Sequence, residues 1–235
     1  TRAVEYREKV RRAAGAADKL PPRDLGMEAL VEVLDGTRVV HFHTHRHDDI
    51  LTALRLAREF NFRIVLHHVS DGWRVAPEIA AAGAPASLTV VDSPGGKIEA
   101  MGAALGTGAA LERAGALVAF NTDDAITDSR LFLRSAALAV RAGMTRERAL
   151  EGVTIAGAKM LDLEDRVGSL EAGKDADLVV LSGDPLSVYT KVLETWVEGV
   201  RVFDRADAKD RLYAVGGYGA GGAYATHDHC AEEAQ

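Results

Sequence analysis

Between residues 37 and 121 the sequence repeats one pattern, a short apolar run followed by a longer segment with apolar residues three and four positions apart. The short runs predict strands, which lie at 37–43, 63–66, 86–91 and 116–121. The longer segments predict helices at 50–60, at 73–82 and within 98–114. These consecutive strand-then-helix units predict an α/β fold with a parallel sheet, either doubly wound or closed into a barrel.

The segments before residue 37 and after residue 121 do not continue this strand-helix repeat. Helices are predicted at 3–17, 27–34, 129–142 and 145–161, the last with Thr145 as its N-cap. From residue 168 onward, β-like runs at 178–181 and 195–203 alternate with glycine, aspartate and proline, which predicts a small separate β element. We therefore divide the chain into an α/β part at 1–166, a β part at 167–212 and a flexible glycine-rich tail at 213–235.

The composition narrows the class of partner. A net charge of -7 without basic clusters disfavours nucleic acid and anionic membranes, which attract Lys and Arg. No apolar run approaches the roughly 20 residues of a membrane span. The single cysteine, Cys230, excludes an intrachain disulfide, and the start Thr1-Arg2-Ala3 carries no secretory signal. We expect a cytoplasmic protein that acts on a small molecule or a peptide-like compound.

Histidines are concentrated in one part of the chain, where six of the eight fall between His41 and His68. Alternation along a strand sends His41, His43 and His45 to one face, and barrel strands deliver such residues to the rim at their carboxyl ends. The second predicted strand leads into His67-His68 and the fourth into Asn121-Thr122-Asp123-Asp124. Imidazole and carboxylate ligate divalent metals, so His43, His68 and Asp123 are predicted to form part of a metal site.

Other interpretations of these residues stay open. A strand-end histidine can instead hydrogen-bond to loop backbone, and His41 and His47 are predicted to support the site or to lie outside it. Asp48 or Asp49 can serve as a helix N-cap. Thr1 as an N-terminal nucleophile is disfavoured because it opens a charged helical segment. The tail residues His227-Asp228-His229-Cys230 are metal-ligand types, but we assign them no role.

Two motifs resemble the amidohydrolase superfamily, especially its imidazolonepropionase-like branch, which includes metal-dependent dipeptidases. The first is the strand-end His43 followed by Thr-His-Arg-x-Asp-Asp-Ile, then the strand-end His68, then Asn-Thr-Asp ending at Asp123. The second is Gly-Ser-Leu-Glu-Ala-Gly-Lys-Asp-Ala-Asp-Leu-Val-Val-Leu at 168–181, followed by Val-Glu-Gly-Val-Arg-Val at 197–202. The resemblance implies the carboxy-terminal half of a TIM (β/α)8 barrel, strands 5 to 8, and part of a small β-sandwich, with a buried strand at 178–181.

The same resemblance implies roles for individual residues. His43, His68 and Asp123 match the metal-binding residues of the family's fifth, sixth and eighth strands. The 80 positions from His43 to Asp123 agree with this, since they hold three strand-helix steps at about 30 residues each. The family's first strand carries a His-x-His pair that the segment before residue 37 cannot supply. We therefore expect an amino-terminal half-barrel polypeptide as a partner.

The implied activity is metal-dependent hydrolysis of an amide or cyclic amide C-N bond. A divalent metal, zinc in the first place and iron, manganese or nickel as alternatives, lowers the pKa of bound water towards about 7. Asp123 acts as general base and acid, and His68 polarises the carbonyl or holds a second metal. His45 and Arg46 are expected to grip a substrate carboxylate. The alternatives are a ring deaminase of the same superfamily and a noncatalytic scaffold subunit.

Overall fold

A four-stranded parallel sheet organises the described part of the chain, which in this computed structural model comprises residues 1–13, 16–89, 97–124 and 126–215. Its strands are β1 (Val40–Thr44), β2 (Ile64–His68), β3 (Ala86–Thr89) and β4 (Val118–Asn121), paired side by side in chain order. The predicted parallel sheet is confirmed. Positions 90 and 91 of the predicted third strand lie outside the described residues.

Helices follow each strand, as the sequence pattern predicts. They are α3 (His47–Phe60), α4 (Ala76–Ala81), α5 (Thr107–Ala114), α6 (Phe132–Arg141), α7 (Arg146–Gly152) and α8 (Ile155–Met160). Short 3-10 helices at Gly72–Arg74, Ile98–Ala100 and Ser129–Leu131 precede α4, α5 and α6. Thr145 caps α7 as predicted, since its side chain accepts from the amide of Arg148.

The single helix predicted at 145–161 is wrong, because the chain breaks between α7 and α8. Thr154 leaves helical geometry with φ -138° and ψ -105°. Its hydroxyl donates to the backbone oxygen of Leu150 at 2.7 Å, a local bond of the kind that competes with continuing a helix.

The two faces of the sheet are covered differently. Leu66, Leu88 and Phe120 point to an outer face and belong to the main buried core together with residues of α3 to α7. Val65 and Ala119 alternate to the inner face, where Ala156 and Met160 of α8 cover them. Further towards the carboxyl ends of the strands, the inner face carries polar side chains. This separates an apolar outer core from a polar inner end.

Two helices precede the sheet, α1 (Arg2–Arg12) and α2 (Leu25–Leu34). They pack against each other, and the Arg7 guanidinium bonds to Asp35 at 2.9 Å just beyond the end of α2. Asp24 caps α2 by accepting from the amide of Met27. The predicted helices at 3–17 and 27–34 are therefore present, with the first one shorter than predicted.

A three-stranded antiparallel sheet follows the α/β part, built from β5 (Leu178–Leu181), β6 (Val192–Val197) and β7 (Val200–Asp204) in that order, before α9 (Asp210–Val215). The single strand predicted at 195–203 is wrong, because Glu198 and Gly199 both have positive φ and form a two-residue hairpin turn. The expected burial of β5 is not found among the described residues, since Val179 is 52% exposed. Residues 216–235, including the tail residues from His227 to Cys230, lie outside the described residues.

Within the part of the chain that the structure describes, no helix combines the length and the apolar character required to cross a membrane.

Candidate metal centre

Three histidines converge at the carboxyl ends of β1 and β2. His43 lies in β1, His45 follows it directly, and His68 is the last residue of β2. One ligand-capable nitrogen from each lies within 4.8 Å of the others, and this is the group with metal-ligand spacing found in residues 1–13, 16–89, 97–124 and 126–215. The rings of His45 and His68 stack with centroids 4.8 Å apart, while the ring of His43 meets that of His68 edge-on at 4.5 Å.

The backbone after β2 is held in an unusual conformation. His68 and Val69 have φ of 67° and 52°, the left-handed region that a β-branched residue such as valine rarely adopts. The amide of Val69 donates to the backbone oxygen of Thr44 at 2.9 Å, and its side chain is fully buried. Such strain costs on the order of 1–3 kcal/mol and persists where packing enforces it, commonly at functional sites. Here it turns the His68 ring towards β1.

His45 is fixed by the loop that follows β2. Its Nδ1 lies 2.8 Å from Ser70 Oγ, and its backbone oxygen accepts from the amide of Asp71 at 2.8 Å. The side chain is buried, at 8% exposure for the residue. The sequence assigned His45 to substrate binding, whereas the structure places its ring within the histidine cluster.

Two carboxylates lie beside the cluster. Glu99 Oε1 lies 3.5 Å from His43 Nε2 and 3.7 Å from His45 Nε2, with Lys97 Nζ 3.6 Å away. Asp123 Oδ2 lies 3.7 Å from His68 Nδ1, and Asp123 also has a left-handed backbone with φ 47°. Sequence reasoning missed Glu99, because it lies ten positions beyond the end of β3, in a short 3-10 helix and not at a strand end.

Burial favours the neutral form of His45 and His68. It lowers the pKa of His45, and it lowers that of His68 to about 4. Burial alone raises the pKa of Glu99, but the nearby His45, His43 and Lys97 outweigh it and leave that pKa below its ordinary value. Neutral imidazole beside ionised carboxylate is the donor set that zinc and related divalent ions accept, so these residues fit a metal ion.

A line of hydrogen bonds runs from His68 across β3 to β4. His68 Nδ1 lies 3.0 Å from Thr89 Oγ1, and the Thr89 hydroxyl donates to Asn121 Oδ1 at 2.7 Å. The Asn121 amide donates in turn to the backbone oxygen of Ser87 at 3.1 Å and to its Oγ at 2.8 Å. Each bond joins neighbouring strands of the parallel sheet.

Comparison with known proteins identifies the framework that carries this site. The amidohydrolase family pattern matches residues 104–202. A crystal structure of an amidohydrolase from Thermotoga maritima superimposes with a TM-score of 0.82 at 35% identity, covering 87% of this chain and 53% of that one. The chain belongs to the amidohydrolase superfamily. The amidohydrolase tasK of Hapsidospora irregularis is 30% identical over 194 residues, which are 81% of this chain and 20% of that protein.

Another relative is a 5-methylthioadenosine/S-adenosylhomocysteine deaminase of Teredinibacter turnerae, 33% identical over 124 residues, which are 42% of this chain and 28% of that protein. The chain thus spans about half or less of the length of the relatives it matches, at 53%, 20% and 28%. The fold is shared with the Thermotoga maritima amidohydrolase. The activities named for these relatives are properties of those proteins.

Within this amidohydrolase framework, the remaining predicted residues lie beside the cluster. His41 Nδ1 pairs with His67 Nε2 at 2.8 Å, and His47 Nδ1 lies 3.0 Å from Asp71 Oδ2. The Arg46 guanidinium makes two bonds of 2.9 Å to Asp48 and lowers the pKa of that exposed carboxyl to about 2. The role of Arg46 in substrate binding stays a prediction.

The suggestion that Asp48 or Asp49 caps α3 is wrong. The helix begins at His47 with Arg46 in the N-cap position, which places both aspartates in its first turn. Negative charge there is still favourable, because the first turn is the positive end of the helix dipole.

Proposed function

We propose that this chain forms the carboxy-terminal half of a metal-dependent amidohydrolase active site, which hydrolyses an amide or cyclic amide C-N bond. The observation that carries the proposal is the cluster of His43, His45 and His68 at the carboxyl ends of parallel strands, with two carboxylates beside it. Active sites of (β/α)8 barrels lie at this end of the strands. The metal proposed is zinc, with iron, manganese or nickel as alternatives, and the imidazolonepropionase-like branch stays a prediction.

The three histidines are the proposed holders of the metal, and when bound it supplies a Lewis acid and activates water near neutral pH. His43 is the most exposed of the three and faces the open side of the site, whereas His45 and His68 are buried. Glu99 adds a carboxylate next to His43 and His45. Two further roles are proposed for His68 besides metal ligation: it polarises the substrate carbonyl, or it holds a second metal.

Asp123 is the proposed proton carrier and a further metal-binding candidate. Its side chain is 44% exposed, with Oδ2 3.7 Å from His68 Nδ1, so it is open to the space in front of the cluster. As general base it accepts a proton from the water whose oxygen attacks the carbonyl carbon. As general acid it returns that proton to the nitrogen when the C-N bond breaks. The nitrogen then leaves as a neutral amine.

Substrate binding is the proposed role of Arg46, whereas His45, which the sequence also assigned to it, is proposed as a metal holder. Arg46 lies at the start of α3 near the mouth of the site, and its planar guanidinium suits a bidentate carboxylate contact. Because Asp48 occupies that guanidinium, a substrate carboxylate must displace an exposed ion pair, which is worth little energetically. His45 is buried and is itself one of the three histidines of the cluster.

The proposal includes an amino-terminal segment that completes the barrel and supplies a His-x-His pair. Parallel sheets are normally covered on both faces, yet His41 and His43 on the inner face of this sheet are exposed. The chain spans 53% of the Thermotoga maritima structure, which leaves room for such a segment. A cytoplasmic location and the lack of nucleic-acid and membrane partners stay predictions.

Ring deamination is the second candidate reaction. The support for it is the 33% identity with the Teredinibacter turnerae deaminase over 42% of this chain. The same metal and general-base chemistry serves attack on a ring carbon that bears an amino group. A noncatalytic scaffold role is the third alternative, and it gives no reason for the convergence of neutral histidines and carboxylates.

One experiment separates these candidates. The chain is co-expressed with an amino-terminal half-barrel segment, assayed for metal by mass spectrometry, and incubated with dipeptides, cyclic amides and aminopurines. We expect stoichiometric divalent metal together with release of a new carboxylate and amine from an amide substrate. Ammonia release from aminopurines alone favours the deaminase, and a metal-free, inactive complex supports the scaffold.

A further inference from the structure

The directions of the hydrogen bonds next to His68 follow from donor and acceptor chemistry. A backbone oxygen can only accept, so the group of Asn121 that faces the backbone oxygen of Ser87 must be its NH2. The amide oxygen of Asn121 therefore faces Thr89. An amide oxygen can also only accept, so the single hydroxyl hydrogen of Thr89 points at Asn121 across the 2.7 Å contact.

The Thr89 hydroxyl can therefore act only as a hydrogen-bond acceptor towards His68. With its hydrogen committed to Asn121, Thr89 Oγ1 can only accept at the 3.0 Å contact with His68 Nδ1. The neutral imidazole of His68 must then carry its hydrogen on Nδ1, which leaves the lone pair on Nε2. Asp123 agrees with this assignment, because its Oδ2 lies 3.7 Å from the same Nδ1 and a carboxylate is attracted to an N-H and repelled by a lone pair.

We propose that Thr89 and Asn121 are positioning residues that lock His68 in the Nδ1-H tautomer and so present Nε2 as its metal-binding atom. The metal part of this inference rests on the proposed function, while the tautomer itself does not. The arrangement is built into the sheet. The register pairs Thr89 with Asn121 and His68 with Leu88, so the end of β2 and the side chains of β3 and β4 meet at this edge.

The lock also constrains the geometry of the site. A metal at Nε2 of His68 binds the ring nitrogen that does not contact Thr89. The His43 and His45 rings lie next to the His68 ring, with centroids 4.5 Å and 4.8 Å away. Asp123 stands on the Nδ1 side. Partners that orient a metal-binding histidine in this way commonly change metal affinity by about 10–100-fold when they are removed.

The test uses variants of the full 235-residue chain in its complex with the amino-terminal half-barrel segment. Thr89→Val keeps the branched shape that suits β3 but removes the acceptor, whereas Thr89→Ser restores a hydroxyl. Thr107→Val is the matched control, because Thr107 is a buried threonine whose hydroxyl has no hydrogen-bond partner among the described residues. The tautomer of His68 is read in the metal-free chain by long-range proton-nitrogen NMR on ring-labelled histidine, with His68→Gln assigning the signals. Zinc affinity is measured by competition with a chelator.

We expect the Nδ1-H tautomer alone in the parent, Thr89→Ser and Thr107→Val, and a mixture of tautomers in Thr89→Val. Zinc affinity should fall about 10–100-fold in Thr89→Val and recover in Thr89→Ser. An Nε2-H tautomer in the parent overturns the inference whatever the variants do, and so does a Thr89→Val protein with unchanged tautomer. A parent that binds no zinc overturns the proposed function, while the NMR reading still decides the tautomer.

Discussion

Replacing Asp123 with asparagine tests the assigned proton carrier with little disturbance to the fold. Asp123 has φ 47°, and asparagine is one of the residues most tolerant of this left-handed backbone. Its side chain is 44% exposed, so the change from carboxylate to amide leaves the core untouched. An amide oxygen remains available as a metal ligand, but it cannot accept a proton. Turnover should therefore fall while the metal content and the unfolding temperature stay close to those of the parent.

The size of the effect follows from the role. General acid-base catalysis contributes roughly 100-fold or more, which corresponds to about 2.7 kcal/mol of transition-state stabilisation. By contrast, the contact of Asp123 with His68 is a 3.7 Å approach by a largely exposed carboxylate, and such ion pairs contribute about 0–1 kcal/mol. A large loss of kcat with an unchanged unfolding midpoint thus points to proton transfer and away from structural support.

The assay compares kcat for amide hydrolysis in the metal-loaded complex of parent, Asp123→Asn and the control Asp124→Asn. Asp124 is the exposed neighbour in sequence and should tolerate the change. We expect the control to keep activity within about twofold of the parent, since surface substitutions away from special features are usually small in effect. An Asp123→Asn enzyme that works within a few-fold of the parent refutes the assigned role.

Three further outcomes are expected. Leu66→Ala removes a fully buried outer-core side chain and should lower the free energy of urea unfolding by about 2–5 kcal/mol; a loss below about 1 kcal/mol contradicts the assigned packing. The pKa of His68 is about 4 when folded, below the ordinary value of 6.5, so the unfolded chain binds more protons between these pH values. Stability of the metal-free chain should fall as pH drops from about 6.5 towards 4, and His68→Gln should flatten that profile of urea midpoints. Glu99→Gln should weaken zinc binding in chelator competition, while Glu78→Gln, a change at an exposed residue of α4, leaves it unchanged; equal affinities exclude Glu99 from the site.

The strand-helix order of this protein could be predicted from sequence because hydrophobic periodicity is a local signal. Strand ends were less accurate, since the predicted strand at 63–66 extends to His68 through pairing with β1. The segment 195–203, predicted as one strand, is a hairpin because Glu198 adopts a positive φ although it is not a glycine. A bulky turn residue of this kind gives no reliable signal in sequence.

The site could be predicted only in part, for a similar reason. His43 and His68 were placed correctly at neighbouring strand ends, because parallel strands bring their carboxyl ends to one edge. His45 is held in the cluster by its contact with Ser70, and Glu99 reaches it from the 3-10 helix Ile98–Ala100. Such contacts join residues 25 or more positions apart, so local pattern cannot reveal them.

The most direct test of the account is the location of the metal itself. Crystals of the zinc-loaded chain in complex with the amino-terminal half-barrel segment, measured on both sides of the zinc absorption edge, place the ion by anomalous scattering. The account predicts a peak about 2.0–2.1 Å from a ring nitrogen of each of His43, His45 and His68, with Nε2 as the ligand atom of His68. A zinc peak elsewhere in the chain, or none at these histidines at full loading, contradicts the proposed metal centre.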